Sequence, residues 1–298
     1  MTHAPVTTIY MHDHPVDILR LELAQPRLQG NKFYKLKYNI ERFKQENCDT
    51  LLTFGGVFSN HIHAAATACY DHGIRGVAVL RGEDDPFNPT LKFIRSMGME
   101  TIFVSRELYR QRNNSDFLHH FSIDANKIYV LPEGGTNEFA VRGCSEILGD
   151  LADKYDRIFC AVGTGGTLCG LICSPGLSAT VTGISSLKAD KDSLTPYIRQ
   201  LCGDAGNKTQ WDINFQYHFG GYAKYNDTLM AFVEQFEHKY NIKPDPVYTA
   251  KVFYAVNDMI SNKSISASER ILILHTGGLQ GWDGWHYRFH HPKKQSHA

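Results

Sequence analysis

The sequence predicts an α/β protein whose mostly parallel sheets carry helices on both faces. Three observations predict this. From about residue 50, short runs rich in β-branched and aliphatic residues alternate with stretches of helical periodicity. Many of these runs end in glycine or polar turn residues, as strands do where they pass into crossover helices. The chain has 298 residues, enough for one large domain or two ordinary ones, either with a sizeable core.

The elements follow in order. A helix starts near Lys32, just after the turn Gly30-Asn31. Residues 50–54 read as a strand, then Gly55-Gly56, then a helix over about 60–70. Residues 76–80 are a strand and 88–96 a helix; 101–104 are a strand with helical material after it to about residue 120. Residues 127–131 are a strand, and Glu133-Gly134-Gly135 turns into a helix expected over about 138–154. A strand over 157–162 runs into Gly163-Thr164-Gly165-Gly166-Thr167 and a further helix. A strand is expected before Gly220. Leu229, Met230, Phe232, Val233 and Phe236 have the spacing of a core-facing helix over 227–240. A helix over 247–260 and a strand over 271–274, ending at His275-Thr276-Gly277-Gly278, complete the reading. Ligands of such sheets sit outside the carboxyl ends of the strands, where the glycine-rich segments fall.

Bulk properties exclude several classes. Lysine plus arginine equals aspartate plus glutamate at 31 each, which gives no basic footprint for nucleic acid or for an anionic membrane surface. No apolar run approaches the roughly 20 residues of a membrane span. No signal peptide is visible at Met1-Thr2-His3-Ala4-Pro5. Seven cysteines, an odd number without metal-type spacing, read as small buried hydrophobes of a reducing compartment, so a cytoplasmic protein is expected. Fifteen histidines occur, including pairs such as His61/His63, but at spacings of one or two that do not share a helical face; no metal site is expected.

Five segments carry chemistry. Lys32, in the frame Gly30-Asn31-Lys32, is a lysine placed to be held; partial desolvation turns such an amine into a nucleophile toward carbonyls. Gly163, Thr164, Gly165, Gly166 and Thr167 follow a strand and open a helix. That arrangement suits one phosphate or, equally, a plain tight turn. It matches neither the dinucleotide fingerprint, since Leu168 holds the third glycine position, nor a P-loop. At Gly55-Gly56-Val57-Phe58-Ser59-Asn60-His61, Ser59 reads either as a helix N-cap or, with Asn60, as a holder of a carboxylate or phenolic oxygen. Tyr222 in Gly220-Gly221-Tyr222-Ala223 and Tyr248 in Asp245-Pro246-Val247-Tyr248-Thr249 lie at strand and helix edges. One ligand explains the combination: an aldehyde bearing one phosphate and bound covalently to lysine, which is pyridoxal 5'-phosphate.

In the same order, Gly-Asn-Lys-x-x-Lys-Leu, Gly-Gly-x-x-Ser-Asn-His, the Thr-Gly-x-Thr loop and Asp-Pro-Val-Tyr resemble the 1-aminocyclopropane-1-carboxylate deaminase and D-cysteine desulfhydrase family, from about Gly30 to Gly278. The resemblance implies a two-domain tryptophan synthase β-like architecture, pyridoxal-phosphate fold type II. Residues 1–42 and 133–298 would form the large cofactor domain and 43–132 a small inserted one. It implies that Lys32 holds the cofactor covalently, that Asn60 bonds its phenolic oxygen and that Gly163 to Thr167 cradle its phosphate. Ser59 and His61 would meet the substrate carboxylate, with Asn60 beside them and Ser59 able to move protons; Tyr222 and Tyr248 would flank the substrate. Gly134 to Asn137 resemble a glycine-rich stretch near the same cleft. The partner is then a small amino acid, in a homodimeric enzyme.

Two positions divide that family. The cyclopropane deaminases carry Glu after the Asp-Pro-Val-Tyr tyrosine and Leu before the late Gly-Gly pair; the desulfhydrases carry small hydroxyl residues, as here with Thr249 and Thr276. A carboxylate at the pyridine nitrogen keeps it protonated and makes a strong electron sink, whereas a hydroxyl donating to it makes a weaker one. The weaker sink favours β-elimination with a good leaving group, giving pyruvate, ammonium and hydrogen sulfide from D-cysteine. The alternatives are cyclopropane deamination, elimination from another D-amino acid, or a non-catalytic cofactor-binding protein. Tyr34 and His63 stand where the family usually has arginine.

Overall fold

The computed structural model describes residues 4–25, 27–28, 30–121, 127–189 and 191–290. The chain opens with a hairpin of β1 (Val6–Met11) and β2 (His14–Arg20), which pair antiparallel. The two linking residues, His12 and Asp13, both have left-handed φ, the geometry that matches a hairpin turn to strand twist. Helix α1 (Asn31–Gln45) follows, then β3 (Thr50–Gly56), α2 (Asn60–His72), β4 (Arg75–Arg81), α3 (Pro89–Ser96), β5 (Glu100–Val104) and α4 (Arg106–Arg110). Next come β6 (Ile128–Leu131), α5 (Glu138–Cys144), β7 (Arg157–Val162), α6 (Gly166–Ile172) and β8 (Thr180–Ser185). The chain continues through α7 (Lys191–Cys202), α8 (Ala205–Lys208), β9 (Trp211–Asn214), α9 (Asp227–Tyr240), α10 (Thr249–Ser261), β10 (Ile271–His275) and α11 (Gly281–His290).

These elements divide into two units. The first comprises the chain up to Tyr38 together with Thr136–Leu279; the second comprises Asn39–Gly135 and the chain from Gln280. The boundary therefore falls inside α1, and α11 belongs with the second unit, whereas the sequence reading assigned the C-terminus to the large domain.

In the first unit the strand order is β1-β2-β10-β7-β8-β9, parallel throughout except for β1. Alternation along β10 shows that both faces are covered. Ile271 and Ile273 join a core with Phe236 of α9 and Val252, Phe253 and Val256 of α10. Leu272 and Leu274 join the opposite core, with Cys144 of α5, Leu168 and Leu171 of α6 and Ile198 of α7. A strand buried on both sides reads as an unbroken apolar run, which is why Ile-Leu-Ile-Leu was legible as a strand. The second unit is a four-stranded parallel sheet in the order β5-β4-β3-β6. Leu52, Phe54, Val77 and Val79 pack on Tyr109 and Phe117, and α2 packs on β3 and β4.

The expected helix over 138–154 is shorter: α5 ends at Cys144, and the chain turns through a 3-10 segment, Gly149–Leu151, where Gly149 has left-handed φ. The strand expected before Gly220 ends earlier, at Asn214, leaving a loop before α9. Among the described residues, no helix is long and apolar enough to cross a membrane.

Candidate active site

The first unit gathers most of the expected residues at the carboxyl ends of β7, β8 and β10. Lys32 is placed by a close approach of backbone to backbone. A Cβ on Gly30 would lie 2.0 Å from the carbonyl oxygen of Thr276, and Gly30 has a φ of +72°, so only glycine fits. The Asn31 amide donates to the same carbonyl at 3.2 Å. The turn preceding α1 is thereby pressed onto the end of β10. From it, the Lys32 amine donates to Asn31 Oδ1 at 3.0 Å, and Asn31 Nδ2 donates to Thr167 Oγ1 at 2.7 Å. The lysine is thus tied to the glycine-threonine loop through one side chain.

Desolvation, reinforced by the charge of nearby Lys35, lowers the Lys32 pKa to about 7. A large fraction of the amine is then neutral and nucleophilic at physiological pH, where an ordinary lysine is almost wholly protonated. The sign is testable on the cofactor-free protein. The rate at which acetic anhydride labels Lys32 is expected to rise about tenfold per pH unit up to pH ~7 and then level off, because only the neutral amine reacts. A rate that keeps climbing toward pH 10 would show an ordinary surface amine.

The loop from Gly163 to Thr167 packs so closely on its neighbours that its glycines leave no room for a side chain. A Cβ on Gly166 would lie 2.9 Å from Thr136 Oγ1 and 3.1 Å from the Lys35 ammonium. Lys35, itself buried, donates to Thr136 Oγ1 at 3.1 Å, and Thr136 and Thr164 share a hydroxyl–hydroxyl bond of 2.5 Å. Burial lowers the Lys35 pKa. A buried cation and threonine hydroxyls around a glycine loop form the donor set that one phosphate group needs. Lys32 beside that loop supplies the amine for an aldehyde. The residues present therefore fit pyridoxal phosphate.

Tyr248 and Thr249 owe their positions to Asp245. Its buried carboxylate accepts from the amides of Val247 (2.9 Å), Tyr248 (2.9 Å) and Thr249 (2.7 Å) at the entry to α10. The Asp245 amide in turn donates to Thr249 Oγ1 at 2.7 Å. Burial raises the pKa of Asp245, while the three amides and a hydrogen bond from the Thr249 side chain oppose the shift. Thr249 is fully buried; its hydroxyl accepts from the Asp245 amide and hydrogen-bonds the Asp245 carboxylate in return. The Tyr248 ring lies against Gly163, where a Cβ would be 3.1 Å from Cε1. It also meets the exposed Tyr222 edge to face, with centroids 6.1 Å apart. Thr276 is buried at the end of β10.

Ser59, Asn60 and His61 belong to the second unit. Ser59 is the N-cap of α2, its Oγ accepting from the Ile62 amide at 3.3 Å. Asn60 and His61 are buried at the start of that helix. The His61 ring is held by Thr53 Oγ1 at 2.7 Å and lies 3.0 Å from where a Cβ on Gly135 would be. His63 stacks on Phe93 with centroids 3.6 Å apart and planes 3° from parallel, and burial lowers its pKa to about 4. It is neutral at physiological pH and supplies none of the charge of the arginine it replaces. Tyr34, the other arginine replacement, faces α5: a Cβ on Gly143 would lie 1.9 Å from its carbonyl oxygen.

Sequence reasoning left several contributors without a role. Lys35 and Asn31 stand inside the quoted motif, Thr136 inside the stretch 134–137, and Asp245 inside Asp-Pro-Val-Tyr. The i, i+3 spacing of Lys32 and Lys35 was the available signal, since it puts two lysines on one helix face. Lys251, fully buried on α10, carried no signal at all.

Comparison with known proteins places the chain in a family. The chain belongs to the family of pyridoxal-phosphate dependent enzymes, whose profile matches residues 13–277. Its cofactor is pyridoxal phosphate, and its fold is fold type II. The chain is 29% identical to a Thermotoga maritima protein provisionally assigned as a 1-aminocyclopropane-1-carboxylate deaminase, over 89% of this chain and 88% of that one. It is 27% identical to the mitochondrial bifunctional D-cysteine desulfhydrase/1-aminocyclopropane-1-carboxylate deaminase of Arabidopsis thaliana, over 89% of this chain and 72% of that one. The crystal structure of an ACC deaminase homologue superposes with a TM-score of 0.79 at 26% identity, covering 94% of this chain and 91% of that one.

Proposed function

We propose that the protein is a D-cysteine desulfhydrase-like lyase, converting D-cysteine and water into pyruvate, ammonia and hydrogen sulfide. The observation that carries this is Thr249: the residue after the Asp-Pro-Val-Tyr tyrosine is a fully buried hydroxyl and not a carboxylate. When bound, pyridoxal phosphate supplies an electron sink for the negative charge left at the substrate α-carbon. A pyridine nitrogen facing a hydroxyl is a weaker sink than one held protonated by a carboxylate. A weak sink suffices when a thiolate leaves from the β-carbon; opening an unactivated cyclopropane demands more.

In this reading Lys32 holds the cofactor and, once the substrate amine has displaced it, takes the α-proton; its pKa of about 7 suits both tasks. Lys35, Thr136, Thr164 and Thr167 would hold the phosphate, and Thr249 and Thr276 would lie toward the pyridine nitrogen. Tyr248 and Tyr222 would wall the substrate, and the Tyr248 hydroxyl would protonate the leaving sulfur. Asn60 toward the phenolic oxygen, and Ser59 and His61 toward the substrate carboxylate, enter by resemblance, as does a homodimer, which sedimentation equilibrium reads. The seven free cysteines support a reducing, cytoplasmic setting.

The Arabidopsis relative's name carries both activities, so side-by-side turnover decides between them. Purified enzyme is expected to release sulfide and pyruvate from D-cysteine with kcat/KM at least about tenfold above that for 1-aminocyclopropane-1-carboxylate, a difference of ~1.4 kcal/mol in transition-state stabilisation. Preference for the cyclopropane would reject the reading in favour of the deaminase.

A further inference from the structure

Lys251 has no place in the chemistry above, yet it is fully buried in the first turn of α10, three residues beyond Tyr248. Its ammonium donates to three main-chain carbonyls: Ser186 at 3.2 Å, His218 at 2.9 Å and Gly221 at 2.8 Å. Ser186 directly follows β8, and its amide donates to Val162 at the end of β7. His218 and Gly221 lie in the loop between β9 and α9 that carries Tyr222. An ammonium has three protons, and here each meets a carbonyl.

That loop needs an anchor. Phe219, Gly220, Gly221 and Ala223 all have left-handed φ, from 51° to 115°. Two of them are not glycine, and such residues persist in this region only where the surroundings over-determine them. The anchoring is local and polar: the Lys224 amide donates to Gly221 O at 3.1 Å, and the Gly220 amide to His218 Nδ1 at 2.9 Å. A Cβ on Gly221 would lie 3.3 Å from both the Lys188 amide nitrogen and its Cβ, so the loop sits tightly on the segment after β8. Burial lowers the Lys251 pKa to about 8, partly offset by the carboxylate of Asp245, so the ammonium is charged at neutral pH.

We propose that Lys251 is a positioning residue for substrate: its ammonium clasps the Tyr222 loop to the end of β8 and to α10, holding Tyr222 against Tyr248. The proposal rests on the reading of these two tyrosines as substrate walls. The clasp acts on binding and orientation, and the Lys32 and phosphate contacts do not pass through it. It also makes the site dependent on a cation bound by carbonyls, a role a small free cation can take over once the side chain is removed.

Lys251→Met keeps most of the aliphatic stem and removes the donors. Two measurements separate the clasp from the functional reading. The first is tryptic cleavage after the exposed Lys224, read by mass spectrometry, which reports loop release whatever the reaction catalysed. In Lys251→Met it is expected to accelerate about tenfold or more, as loss of charge-assisted bonds raises local opening. In Lys251→Ala the acceleration is expected to be reversed severalfold by ammonium chloride and not by tetramethylammonium chloride at equal ionic strength. The second is steady-state kinetics with D-cysteine on the loaded enzyme: KM is expected to rise about tenfold with kcat changed less than about threefold. Wild-type cleavage at Lys224 in Lys251→Met, or no response of Lys251→Ala to ammonium, overturns the clasp. Faster cleavage with an unchanged KM leaves the clasp standing and overturns the placing of Tyr222 at the substrate. If Lys251→Met does not fold, Lys251→Ala folded in ammonium chloride carries both measurements.

Discussion

Replacing Lys32 with alanine is expected to abolish the covalent attachment of pyridoxal phosphate and to lower D-cysteine turnover by about 10³-fold or more, in line with the 10²–10⁴-fold typical of a positioned general base together with loss of cofactor anchoring. Borohydride treatment followed by peptide mapping should find the cofactor on the Lys32 peptide in the wild type and on no peptide in the variant. The reason is specific to this amine. It bonds Asn31, which in turn bonds Thr167, it feels the Lys35 charge, and its pKa near 7 leaves it reactive where an exposed lysine is not. Fold stability should change little, because the residue is not part of either hydrophobic core of its unit. A cofactor link that survives in Lys32→Ala would move the role to another lysine, and Lys35 would be examined first.

Replacing Lys35 with methionine is expected to weaken cofactor binding about 10- to 100-fold, the equivalent of the ~1.5–3 kcal/mol of a charge-assisted hydrogen bond. The same variant should leave the cofactor-free protein at least as stable as the wild type. Burial already lowers the pKa of Lys35, meaning that the protein bears a cost for keeping this charge out of water. Removing the charge relieves that cost when no phosphate is bound and forfeits the attraction when one is. The two effects have opposite signs, so melting temperatures with and without pyridoxal phosphate check the prediction directly. The cofactor-induced rise should shrink while the cofactor-free value holds or increases. An undiminished rise would mean that the threonine hydroxyls and loop amides hold the phosphate unaided.

Both predictions change lysines that lie within four positions of each other, yet only one of the two was assigned a role from sequence. Lys32 was legible because the Gly-Asn turn before it, the glycine-threonine loop after β7 and the Asp-Pro-Val-Tyr segment are local patterns. Each encodes its own backbone conformation, through the freedom of glycine, the rigidity of proline or an aspartate at a helix start. β7, β10 and α9 were legible for the same reason, as runs whose period matches their burial. The hairpin β1–β2 went unnamed because β1 alternates at the edge of a sheet and β2 mixes exposed, intermediate and buried positions. β8 and α7 went unnamed too: β8 carries Gly183, and α7 has Pro196 within it. The expected helix over 138–154 stopped at Cys144 because propensity could not register the left-handed turn at Gly149.

By itself the sequence determined the α/β class and supplied a candidate pyridoxal anchor and a loop suited to one phosphate, since each is a short-range pattern whose chemistry lies in adjacent residues. The tertiary structure alone decided what surrounds them. Gly30 must be glycine because the Thr276 carbonyl lies where its side chain would be. Lys35 faces the glycine loop because Thr136 and Gly166 meet it there. Lys251 is a buried clasp because carbonyls from two distant loops converge on its ammonium. The physical reason is common to all three. Desolvation and close contact are properties of a position in space, and they arise from residues far apart in the chain, so no window of sequence contains them.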